Sequence, residues 1–88
     1  MTEERLWQQL RDILKEVRPQ APHSLLGLDD DIVERLGLDS LDMANFAVEI
    51  QYGFALTVES AQVAELLTLR TLGAFILQQM SLSAPAES

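Results

Sequence analysis

"LGLDSLDMANFAVEIQYGF", residues 36–54, sets a serine between two aspartates where an apolar helical pattern begins. From residue 40 to 52, Leu41, Ala44, Ala47 and Val48 recur at helical spacing, and Phe46 and Ile50 widen the apolar arc. Asp39 or Ser40 can cap this helix, because a short polar side chain accepts a hydrogen bond from a free N–H of the first turn. Asp39-x-x-Asp42 has the form of a capping box, which would leave the Ser40 hydroxyl pointing outward. Ser40 is therefore either a plain cap or a functional hydroxyl held open at the helix mouth. A phosphate ester there would meet unpaired N–H groups and the positive end of the helix dipole, against repulsion from the two aspartates. Gly53 stands at the C-terminal end, where glycine commonly supplies a left-handed residue.

Working outward, residues 2–17 read as a helix with Leu6, Leu10, Ile13, Leu14 and Val17 on one stripe, Thr2 as cap and Pro19 as stop. Trp7 flanks that stripe as a core-edge residue. Residues 18–35 form a long connection, punctuated by prolines, a glycine and Asp29-Asp30-Asp31. Its own apolar residues, with a short helical turn at Asp31–Leu36, are expected to pin it down. Phe54, Leu56 and Val58 alternate but have no partner strand, so they read as an extended connector. Glu59–Leu66 reads as a short helix, and Leu69 or Arg70 to Met80 as the last, with Leu72, Phe75, Ile76 and Gln79 on one face. The expected architecture is an all-α four-helix bundle with a long first connection and a short third helix. Residues 1–80 form its single domain, and residues 81–88 a frayed tail.

Composition removes several functional classes. The 88 residues carry a net charge of -8, which disfavours nucleic acid and anionic membrane surfaces and favours basic protein partners. Apolar residues make up 48% and charged residues 23%, a balance suited to a folded chain with a thin core. There is no cysteine, hence no disulfide, thiolate metal site or thiol nucleophile, which fits a reducing cytoplasmic setting. No stretch approaches the roughly 18 apolar residues of a membrane span. Nucleophilic catalysis by Ser40 would need a base within reach, and the single histidine, His23, lies in a proline-rich loop. The aspartate run lacks the alternating spacing of a calcium loop. The residues thus give no catalytic or metal-binding set.

The stretch at 36–54 resembles the acyl carrier protein signature, in which an L-G-x-D-S-L segment opens the second helix. "DIVERLGLDSL" is similar to the family's approach to that serine, and "TLRTLGAFI", residues 68–76, resembles its last-helix motif. The likeness spans roughly residues 2–80. It implies a bundle of acyl-carrier type that is not an enzyme. Ser40 would receive 4'-phosphopantetheine from coenzyme A through a separate magnesium-dependent phosphopantetheinyl transferase. The thiol of that arm would carry acyl groups as thioesters among acyl-transferring, condensing or acyl-activating enzymes. The resemblance further implies partner docking by Asp39, Leu41, Asp42, Val48, Glu49 and Tyr52. The acyl chain would shelter among Leu41, Ala44, Phe46, Ala47, Ile50, Phe54, Leu66, Leu72 and Ile76.

Asn45, Gln51 and Tyr52 occupy positions where fatty-acid carriers commonly place acids. That departure implies docking that leans on Leu41, Val48 and Tyr52 more than on charge, and, within fatty acid, polyketide or other lipid biosynthesis, a specialised role such as polyketide or secondary lipid synthesis rather than a housekeeping fatty-acid one. A stand-alone monomeric acyl carrier is the leading reading. An aminoacyl or peptidyl carrier and an unmodified helical interaction module are the alternatives.

Overall fold

The computed structural model describes residues 2–83, with side-chain surroundings given through residue 81. All regular elements among the described residues are helical, with no strand among them: α1 (Glu3–Val17), a 3-10 turn (His23–Leu25), α2 (Ile32–Leu36), α3 (Ser40–Phe54), α4 (Ser60–Ala64) and α5 (Leu69–Ser83). The expected all-α architecture is what the chain adopts. The last helix runs three residues past its expected end at Met80, so residues 81–83 are helix rather than tail. The reading of residues 84–88 as frayed lies outside the described residues.

The three long helices carry the core. Thr2 caps α1 by accepting the Arg5 N–H at 3.3 Å, and Leu6, Leu10 and Leu14 are fully buried along one side. α1 packs against α3 and α5, and α3 packs against α4. α3 contributes Met43, Phe46, Ala47, Ile50 and Phe54; α5 contributes Leu69, Leu72 and Ile76. Gly73 lets α1 and α5 approach closely, since a Cβ there would meet Trp7 Nε1 at 2.8 Å.

Two expectations about α3 are corrected. Leu41 and Val48 are not in its buried row: they are 68% and 44% exposed, and Met43 with Phe46 and Ile50 forms the inner row instead. Nor does Gly53 end the helix. It is helical and its carbonyl accepts from Gln9 Nε2 at 3.1 Å, while Ala55 takes the left-handed conformation at φ 55°. The helix winds two residues further than expected, and Phe54 thereby reaches the core at 8% exposure.

The long connection is held at several points. Arg11 donates to the Leu26 carbonyl at 2.7 Å, and His23 Nε2 donates to that of Arg18 at 2.7 Å. Backbone bonds from the Ile32 N–H to the Leu67 carbonyl and from the Arg70 N–H to the Leu28 carbonyl tie it to the start of α5. Arg70 also grips Asp29 through both carboxylate oxygens and lies 6.0 Å from the Trp7 ring centroid. Each of these contacts satisfies backbone or charge that an irregular segment would otherwise leave unpaired. α2 ends at Gly37, whose φ of 68° suits a residue without a Cβ, and this turn aims the chain into α3.

Candidate modification site at the start of α3

Asp39, not Ser40, caps α3. Its carboxylate accepts the Asp42 N–H at 2.8 Å, and the Asp42 carboxylate accepts the Asp39 N–H at 3.1 Å, closing a reciprocal capping box. Ser40 is the first helical residue and is exposed. Its hydroxyl bonds no other group among the described residues. Ser40 is thus not the cap of α3, and its hydroxyl is left open.

Asp42 is the fastening point beneath it. Besides the Asp39 N–H, its carboxylate accepts Arg18 at 2.7 Å, across 24 residues of sequence. The Asp39 N–H bond first, and then the bond and charge of Arg18, hold the Asp42 carboxyl below the usual carboxylate range against the opposing effect of burial. Only 9% exposed, Asp42 faces inward, so its expected place on an outward docking face is corrected: it anchors the α1 end to the α3 start.

The remaining residues expected to dock partners are on the surface. Leu41, Val48 and Tyr52 are exposed, Tyr52 by 82%, and Asp39 and Glu49 are exposed beside them. Leu41, Asn45, Val48 and Tyr52 follow one another at helical spacing and form one outward stripe. Of the residues expected to surround an acyl chain, Phe46, Ala47, Ile50, Phe54, Leu72 and Ile76 are buried in one continuous core, with Leu66 packed at its edge and Ala44 partly exposed. The sequence reading missed Met43 and Leu38, which are 8% and 6% exposed members of the same core. It also missed Arg18, for which only its position just after the first helix was legible.

An open cleft of about 580 Å³ lies next to the capping box, between the α1 C-terminus and the Pro19–Pro22 turn, floored by Leu36 and Asp42. A second open cleft, lined by Asp29, Asp30, Asp31, Glu34 and Arg35, lies where the long connection enters α2. Among the described residues no group of acids or histidines is arranged to hold a metal ion. No described helix is long and apolar enough to cross a membrane.

A helical bundle whose second long helix opens on an exposed, unbonded serine is what the resemblance to acyl carrier proteins implies. Residues 8–76 match the family model for the phosphopantetheine attachment site (PP-binding), and the chain belongs to that family. Domains of this family are the sites of covalent 4'-phosphopantetheine attachment; they carry acyl groups and are not themselves enzymes. Among solved structures, the chain is similar to an NMR structure of the HMG-ACPI domain from the CurA module of Lyngbya majuscula. The TM-score is 0.79 at 24% identity, covering 94% of this chain and 83% of that one, a likeness of fold. No curated protein matches the chain.

Proposed function

We propose that Ser40 is the attachment residue and that the protein works as a stand-alone acyl carrier. One observation carries this reading: the Ser40 hydroxyl is exposed and unbonded at the start of α3 because Asp39 does the capping. The residues present fit the arm. The Ser40 and Leu41 N–H groups belong to the first turn of α3, where helical N–H groups lack intrahelical acceptors and an anion such as a phosphodiester on Ser40 Oγ is favoured. When bound, the arm supplies a thiol on which an acyl group is held as a thioester. Ser40 holds it at the rim, the capping box fixes the direction of α3, and the Arg18–Asp42 pair keeps that rim against α1.

Partners dock on the stripe that begins beside the serine: Leu41, Val48 and Tyr52, edged by Asp39 and Glu49. A phosphopantetheinyl transferase and the acyl-transferring, condensing or acyl-activating enzymes would all use this face. With apolar groups dominating it, their affinity falls less steeply with salt than it does for a strongly acidic face. Ala44, Phe46, Ala47, Ile50, Phe54, Leu66, Leu72 and Ile76 shelter the acyl chain only when the helices part, since Phe46, Leu72 and Ile76 are closed off from solvent. The stripe's low acidity favours polyketide or other specialised lipid synthesis over a general fatty-acid role. The carrier acts as a cytoplasmic monomer, where coenzyme A and the transferase meet it. Incubation with coenzyme A and a broad-specificity transferase tests the assignment: the intact mass rises by one phosphopantetheine for the wild type and stays unchanged for Ser40→Ala. An unmodified wild type overturns it.

A further inference from the structure

The cleft beside the capping box has a composition that neither the core nor the α3 stripe shares. Val17, Ala21, Pro22 and Leu36 give it an apolar wall and floor. The Arg18–Asp42 pair bounds it where it meets the capping box. Arg18 spends one N–H on Asp42, its side chain is 44% exposed, and its other guanidinium N–H groups stay available to an anion. Gln20 lies on the rim, and its side-chain amide bonds nothing among the described residues. The volume of about 580 Å³ falls within the range of roughly 300–1,000 Å³ that small-molecule sites occupy.

These features suit the successive parts of a tethered arm that reaches round the mouth of α3. Ser40 is exposed at the first position of the helix, two residues before Asp42, so its Oγ leaves on another side from the inward Asp42 carboxylate and the arm must turn over the helix start to meet the cleft. A negative charge brought to that mouth has in Arg18 the cation joined to the capping box. Beyond the phosphate, pantetheine carries a gem-dimethyl group followed by two amides. The apolar wall at Val17, Ala21 and Leu36 suits the methyls, and the Gln20 amide suits the amides as both donor and acceptor. The turn that forms the outer wall is itself held, by the His23–Arg18 bond and by the Ala21 N–H bonded to the Arg18 carbonyl at 3.2 Å.

We propose that this cleft is the resting site of the phosphopantetheine arm when its thiol carries no acyl group. The inference rests on Ser40 being the attachment residue and adds a site outside the core. Arg18 acts here as a positioning residue, with the phosphodiester as its second partner. Resting in the cleft keeps the unloaded thiol away from the α3 stripe until a partner enzyme draws it out.

The test uses labelled protein converted fully to the modified form, with conversion checked by intact mass. In isotope-filtered NMR spectra the gem-dimethyl protons are expected to show cross-peaks to Ala21 and Leu36 methyls, and the Gln20 side-chain amide and Arg18 Nε–H signals to move. Ala21→Trp, which fills the cleft from a partly exposed loop position, is expected to abolish those cross-peaks while leaving the mass gain intact. Modified wild type whose only shifted signals lie at Ser40 and its chain neighbours would overturn the cleft, as would cross-peaks to Phe46 or Ile76. Wild type that gains no mass would instead overturn the attachment reading on which the cleft depends.

Discussion

Replacing Asp39 and Ser40 one at a time separates the two side chains at the mouth of α3. The Asp39 carboxylate is the acceptor for the Asp42 N–H at 2.8 Å, whereas the Ser40 hydroxyl has no partner in the described structure. Asp39→Ala removes the cap and leaves the Arg18–Asp42 pair and the Asp39 N–H bond in place, so the loss is that of one N-cap, about 1 kcal/mol. For a domain of this size that corresponds to a fall in Tm of about 4–8 °C. Asp39→Asn keeps a capping oxygen and stays within about 0.5 kcal/mol of the parent, which separates the lost bond from the lost charge. Ser40→Ala gives up no bond and gains helix propensity, so the variant is between unchanged and about 0.5 kcal/mol more stable. Urea and thermal unfolding of the unmodified proteins, followed by far-UV circular dichroism, measure all three. If Ser40→Ala lost about 1 kcal/mol while Asp39→Ala lost nothing, the division of roles at this helix start would be wrong.

Three further outcomes follow from the same geometry. Ala55→Gly relieves a left-handed residue at φ 55°, where an L side chain is strained, and is expected to stabilise by about 0.5–1 kcal/mol; an unchanged urea midpoint would contradict it. Gly73→Ala places a methyl at 2.8 Å from Trp7 Nε1, so strain outweighs the gain in helix propensity and the domain loses about 1 kcal/mol, with a shift in Trp7 emission. Equal stability with unaltered fluorescence would mean that α1 and α5 are not so close. The folded-state pKa of Asp42 lies below its ordinary 3.8, so its contribution is complete above that value and is lost as pH falls through 3.8 toward the lowered one. Asp42→Asn should therefore flatten the stability profile in that acid range, and an unchanged slope in urea midpoint against pH would refute the assignment.

Local pattern carried most of the helical architecture. Leu6, Leu10 and Leu14 announced α1 by spacing alone and are fully buried. The capping box at Asp39 and Asp42 was legible because both halves lie within one turn. What local pattern could not supply was which face of α3 points inward. Leu41 and Val48 are apolar at helical spacing, yet the inner row follows Met43, Phe46 and Ile50 because α1 and α4 approach from that side. Asp42 read as a surface acid because its partner, Arg18, lies 24 residues away across a connection whose path is set by long-range bonds. Gly53 read as the helix end because its type suits a left-handed residue, but the approach of Gln9 and Ile13 on α1 uses its missing side chain, and the turn falls to Ala55. The serine itself was visible as a site candidate; its freedom from capping was a matter of geometry.

The most direct test of the central claim is to locate the modification within the chain. Cleavage after Arg35 and Arg70 releases residues 36–70 as one peptide, which carries both Ser40 and Ser60. After treatment with coenzyme A and a transferase, tandem mass spectrometry of that peptide should place the whole phosphopantetheine on fragments that contain Ser40 and none on those that contain only Ser60. Modification at Ser60, at a serine outside this peptide, or on Ser40→Ala protein would contradict the account.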